Sequence, residues 1–235
     1  MNFFNVILYQ PLFNSLIFLY NYIPGHDFGV AIISLTLIIK TILIPLSIKA
    51  VKSQKDLQDL QPKIKEIQDK YKNDKEKQAK EVLEIYKIQK INPFGGVLLL
   101  LIQLPILIAL YSVFQNGLKS SELVNLYSFV TNPGNINFLF FNIVDLSKPN
   151  MFFAIIAGAS QYFQTKMMMP KQKTSGIDRN ADFAKIMQFQ TTYFLPIFTI
   201  IVLLNLPSAL GLYWIVGGIF STIQQYFILK KIKNS

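Results

Sequence analysis

Lys40 is the one charged side chain in an apolar run from Phe28 to Ile48, and Thr36 precedes it by one helical turn on the same face. An ionised lysine in hydrocarbon costs about 2.5–3.5 kcal/mol on insertion scales, so it must reach water or a polar interior. Nine residues separate it from Lys49, which is roughly 13 Å along a straight helix and further than a lysine stem extends. Two arrangements satisfy it: a hydrated cavity open to the cytoplasm, or a snorkelled anchor. Gln103, Gln161, Gln164, Gln224 and Gln225 place uncharged polar groups in or near later apolar runs. Each is most simply an interhelical hydrogen bond.

These residue types exclude most catalysis. The chain has no Cys and a single histidine, His26, which removes thiol nucleophiles, cysteine zinc sites and histidine pairs. All 13 Asp and Glu residues lie outside the apolar runs, against proton or sodium coupling through a buried acid. No glycine-rich phosphate loop is present. The expectation is a protein that is not an enzyme and takes no cofactor and no metal.

The elements that position Lys40 follow from composition. The 235 residues are 51% hydrophobic and only 15% charged, and a bilayer core of about 30 Å takes roughly 20 helical residues. The sequence predicts an all-α integral membrane protein with five transmembrane helices at 28–48, 93–114, 150–168, 189–206 and 207–229. The third is the least apolar. A soluble bundle is the alternative, but it would have to bury all five runs in one small core. Residues 1–27 carry Asn5, Gln10, Pro11, Asn14 and Asn21 among apolar neighbours and have no basic flank, as in an interfacial amphipathic helix rather than a signal peptide.

Charge orients these runs. Of 23 Lys and Arg residues, 12 fall in 49–92, five in 166–188 and three after Leu229, whereas 112–150 has only Lys119 and Lys148. The positive-inside rule puts 49–92, the loop 169–188 and the tail 230–235 in the cytoplasm, with 1–27 and the loop 115–149 outside. The formal net charge of +10 is then mostly topological, and no DNA partner is expected. Within 49–92, Leu57, Leu60, Ile64, Ile67 and Tyr71, then Val82, Ile85 and Tyr86, recur at helical spacing. They predict a two-armed helical hairpin turning at Lys72-Asn73-Asp74, with a kink or restart at Pro62. Its lysines suit solvent, anionic lipid or ribosomal RNA.

Four segments carry a resemblance. LQPKIKEIQDKYK at 60–72, Asn92-Pro93-Phe94-Gly95-Gly96, QLPILIALYSVF at 103–114, and NLPSALGLYWIV at 205–216 with Gln224-Gln225-Tyr226 together resemble the YidC family of membrane protein insertases. The resemblance implies an extracytoplasmic helix, five core spans, a cytoplasmic hairpin, and a hydrophilic groove open to the cytoplasm and the lipid. It implies insertion and folding of client transmembrane segments in the bacterial plasma membrane without nucleotide hydrolysis. Lys40 takes the place of the groove cation, with Thr36, Gln103, Gln164 and Trp214 lining the groove. Phe152, Phe153, Ile156, Ile215, Ile219 and Phe220 form the faces along which clients slide. Most members carry Arg at the cation position, so bidentate guanidinium contacts do not transfer, whereas a point charge does. Client membrane proteins and membrane lipid are the implied partners, and the Sec translocon and translating ribosomes are further candidates; the short tail disfavours strong ribosome docking. A small transporter or channel is the alternative, but no internal repeat supports it.

Overall fold

The computed structural model describes residues 3–92, 95–117, 122–167 and 189–233. The loop expected at 169–188 lies outside the described residues. The order is α1 Gln10–Tyr22, α2 Phe28–Ile42, α3 Ile44–Lys70, α4 Lys75–Ile88, α5 Gly95–Ser112, a ribbon of β1 Leu139–Phe140 and β2 Val144–Asp145, then α6 Met151–Met167, α7 Leu195–Leu203 and α8 Ser208–Lys233. A π turn, Asn5–Tyr9, leads into α1. The antiparallel ribbon pairs Leu139 with Asp145 and Phe140 with Val144, a small departure from all-α within the expected 115–149 loop. The last helix continues to Lys233, through most of the expected tail 230–235.

Proline places the main bend. In a continuous helix the Thr41 carbonyl would accept a bond from residue 45, but Pro45 has no amide hydrogen and its ring crowds that carbonyl. The chain therefore breaks at Leu43, and α2 and α3 meet at 63°. Pro45 then sits in the first turn of α3, where its missing donor costs nothing. Of the kink or restart expected at Pro62, the restart does not occur, because Pro62 lies inside α3. The hairpin turn falls as expected: α3 stops at Lys70, and the Asp74 carboxylate caps α4 by accepting from the Lys77 amide at 2.9 Å. Leu60 and Ile64 of the first arm are buried, while no residue of α4 is.

Helix α8 is the centre of the bundle, with α2 and α6 packed on it, α7 on α6, and α1 on α2. Glycines permit the close approaches. Gly158 of α6 meets Ile200 of α7, Gly211 of α8 meets Phe153, and Gly218 meets Ser160. Among the described residues, Ser208–Ile232 alone is long and apolar enough to cross a membrane, and the bent pair α2 and α3 counts as a second if taken as one crossing. Of the other apolar runs, α6 is a single helix of 17 residues, and π turns at Val113–Gly117 and Gln190–Phe194 adjoin α5 and α7.

The core lies at the ribbon end. Phe13, Leu16 and Ile17 of α1 sit on one helix face and are fully buried with Phe28, Leu110, Val113 and Leu146. The Phe28 ring meets those of Phe114 and Phe138 edge-on, with centroids 6.2 and 5.4 Å apart. Polar side chains satisfy the loop backbone above this core. Asn14 accepts from the Tyr127 amide at 2.6 Å, and the Tyr20 hydroxyl accepts from the Asn137 amide at 2.9 Å. The first amides of α8 are capped by the loop itself, Ser208 donating to the Lys148 carbonyl at 2.9 Å and Ala209 to that of Leu146 at 3.0 Å. Hydrogen bonds from Ser147, and then the Lys148 ammonium, hold the Asp145 carboxyl below the usual carboxylate range.

Asp27 ties the ribbon to α2. One carboxylate oxygen accepts from the Val30 amide at 2.9 Å, capping the helix, and the other from the Phe141 amide at 2.7 Å. Asp27→Ala should cost about 1–2 kcal/mol and lower the melting temperature in detergent. Asp27→Asn keeps an acceptor for the cap but turns a donor toward the ribbon, so the Phe141 amide should exchange faster while Val30 stays protected. Equal protection of Phe141 in both proteins would refute the link.

Candidate functional site

Lys40 lies in the last turn of α2, just before the bend. The straight-helix path to Lys49 does not exist, because the chain turns at Leu43. The half-buried lysine stem crosses the backbone of α8 at Gly217: a Cβ built there would stand 2.9 Å from Lys40 Cε and 3.5 Å from Nζ. Thr36 is buried against the same glycine, its methyl 3.9 Å from that built Cβ, while its hydroxyl donates to the Ile32 carbonyl at 2.7 Å. Thr36 therefore presents its methyl, not its hydroxyl, to Gly217. Among the described residues no acidic side chain pairs with Lys40, and the partial negative charge at the C-terminus of α2 is its nearest electrostatic support.

One turn before Gly217, the buried Tyr213 hydroxyl accepts from the Gln103 amide, joining α5 to α8. Trp214 is half-buried against the core. Of the two α6 glutamines, Gln161 makes the bond to a neighbouring helix, accepting from the Thr199 hydroxyl at 2.6 Å, and Gln164 is half-buried one turn beyond Ser160. On α8, Gln224 Nε2 and Gln225 Oε1 are buried without a partner among the described residues. The structure thus brings Thr36, Lys40 and Gly217 together, with Gln103 joined to the same helix through Tyr213.

The apolar residues divide. Phe152 is 68% exposed and Ile219 51% exposed, while Phe153, Ile156, Ile215 and Phe220 are half-buried. Phe153 turns inward onto Gly211. The outward face of α6 runs through Phe152, Ile155 and Phe163, and that of α8 through Ile219, Ile223, Tyr226 and Phe227.

Reasoning from sequence did not single out Tyr213, Ile155, Phe163 or the glycines of α8. A signal was present for two of the glycines: Gly211 and Gly218 are seven residues apart, as are their contacts Phe153 and Ser160 on α6. Equal spacing on both helices is the mark of parallel neighbours in contact.

The Gln103–Tyr213 bond gives a prediction. A buried hydrogen bond contributes about 0.5–1.5 kcal/mol net, and more is lost when one partner is left unsatisfied. Tyr213→Phe and Gln103→Leu should each lower the melting temperature in detergent, and the double variant should fall short of the sum. Additive losses would show that the two side chains are not coupled.

The family model described as "60Kd inner membrane protein" matches residues 18–235. The membrane protein insertase YidC of Fusobacterium nucleatum subsp. nucleatum is 36% identical over 228 residues, covering 95% of this chain and 98% of its own length. That of Clostridium tetani is 38% identical over 211 residues, covering 90% and 85% respectively. Among solved structures, a crystal structure described as an active YidC insertase with its first transmembrane domain resolved aligns with a TM-score of 0.61 at 26% identity. The alignment takes in 97% of this chain and 47% of that one, so the present chain spans about half of the solved protein.

Proposed function

The chain belongs to the 60Kd inner membrane protein family and is a membrane protein insertase of the YidC kind, and from that premise we propose that Lys40 supplies the positive field of a hydrophilic groove opening toward the hairpin. Insertases of this family are not enzymes, and their clients are membrane proteins. The observation that carries the proposal is the seating of the lone Lys40 on Gly217, without an acidic partner among the described residues.

In the plasma membrane, α2, α5, α6, α7 with its preceding π turn, and α8 make five crossings. The N-terminus lies outside and the C-terminus in the cytoplasm, as the 12 lysines in 49–92 favour. Helix α2, at 15 residues, is about 22 Å long, shorter than a hydrocarbon core of about 30 Å. With Asp27 at the outer interface, Lys40 remains within the slab although it stands in the last turn of its helix.

The mechanism follows from the costs of transfer. The polar tail of a client crosses partway in the groove, where the Lys40 field and the glutamine amides replace some of its water. Acidic tails gain most, because attraction between opposite charges grows as the local dielectric falls. The client's apolar segment rests on the exposed faces of α6 and α8 and then passes into lipid, gaining about 25 cal/mol for each Å² removed from water. No nucleotide is needed.

Reconstitution into liposomes with a short single-span client tests this, read as protection of the client from added protease. Lys40→Arg should retain insertion, because the charge persists. Lys40→Gln should impair clients with acidic translocated tails more than clients with neutral ones. Equal insertion of both by a well-accumulated Lys40→Gln protein would refute the electrostatic role. Topology has its own check, helped by the absence of native cysteine: a cysteine at Asn135 should label from outside and one at Asn73 only from the cytoplasm. The reverse pattern would refute the five-span orientation.

A further inference from the structure

Two adjacent glycines, Gly217 and Gly218, stand inside the continuous helix α8. Each costs about 1 kcal/mol relative to alanine in a helix interior, so each calls for a compensating role. For Gly218 the role is packing, because a Cβ there would stand 2.8 Å from Ser160 Oγ and 3.3 Å from its Cβ, where α6 comes against α8. Gly217 is different. A Cβ there would meet the far end of the Lys40 side chain, at 2.9 Å from Cε and 3.5 Å from Nζ, and otherwise only the Thr36 methyl at an ordinary 3.9 Å. A flexible lysine stem can swing aside at little cost to the fold. Packing therefore does not require glycine at this position; the location of the ammonium does.

We propose that Gly217 is a positioning residue for the insertion reaction: the bare backbone of α8 at this point sets where the Lys40 charge sits, and thereby how strongly the protein favours clients with acidic translocated tails. A side chain at 217 would move the ammonium off the α8 surface and change its distance to the client's carboxylates. At an effective dielectric of about 20, lengthening a 4 Å charge separation by 1 Å weakens the preference roughly fourfold. This inference rests on the reading of Lys40 as the groove cation, and the experiment separates the two.

The parent, Gly217→Ala, Gly217→Val, Lys40→Gln and the Gly217→Val/Lys40→Gln double variant are reconstituted into liposomes. Two single-span clients are compared that differ only in whether the translocated tail is acidic or neutral. The readout is the ratio of acidic-tail to neutral-tail insertion, with the melting temperature of each variant measured alongside. Gly217→Val should lower the ratio about fourfold and Gly217→Ala by less, while Gly217→Val in the Lys40→Gln background should leave the ratio of Lys40→Gln unchanged. A parental ratio in Gly217→Val, with a lowered ratio in Lys40→Gln, would overturn the role of Gly217 alone. Equal loss of both clients would also overturn it, since that is the mark of a structural defect. A parental ratio in Lys40→Gln would overturn the underlying reading whatever Gly217→Val does.

Discussion

A single ammonium inside an apolar bundle is the constraint around which this protein is built. Lys40 has no acidic partner among the described residues, so its charge must be tolerated by other means. Local architecture supplies two. The last turn of α2 places the lysine at the negative end of the helix dipole, and Pro45 ends that helix by withholding the amide that would continue it. Had α2 run straight into α3, Lys40 would lie in mid-helix with the nearby carbonyls engaged in backbone bonds. The bend gives the cation a helix terminus, and Gly217 gives its stem a path across α8.

The opposite end of the molecule is organised on the contrary principle. There α1, the ribbon and the starts of α2 and α8 are joined by side-chain and loop hydrogen bonds, over a core of fully buried aromatic and aliphatic residues. Phe140 lies so close to Gly29 that no side chain would fit between them. A dense apolar plug has no room for water and binds little. At the hairpin end the contrast is plain, because α4 buries no residue and Gln224 and Gln225 hold buried amide atoms without partners among the described residues. The molecule is thus tight at one end and incompletely satisfied at the other.

What could be read in the sequence was whatever is written in local pattern. Apolar runs marked the helices, and the three- and four-residue spacing marked the hairpin with its turn at Lys72-Asn73-Asp74. Lys40 and Thr36 were visible because a charge in an apolar run is conspicuous. The resemblance of four segments supplied what pattern alone did not, the family and its class of client. Less legible was anything decided between distant segments. Pro62 and Pro45 look alike in sequence, yet Pro62 is carried inside a continuous helix and Pro45 ends up at a break. The two-stranded ribbon is too short to show a period, and Tyr213 and Gly217 matter only because Gln103 and Lys40 are brought against them. A residue whose role is to be absent, as a glycine's side chain is, leaves no chemical signature.

The choice of lysine then acquires a physical meaning. A guanidinium is a planar fork that engages carboxylates in fixed bidentate geometry, whereas an ammonium on a four-carbon stem is a point charge with rotatable donors. An insertase must accept segments that share hydrophobicity and little else, so directional bonding would discriminate where tolerance is needed. The same logic governs the apolar faces, since Phe152, Ile155 and Phe163 on α6 and Ile219 and Ile223 on α8 offer area without polar handles. A point charge resting on a bare helix and an apolar surface beside it both attract by class rather than by sequence. On the proposed reading, neither holds its client by the matched, multiple hydrogen bonds that would make release slow.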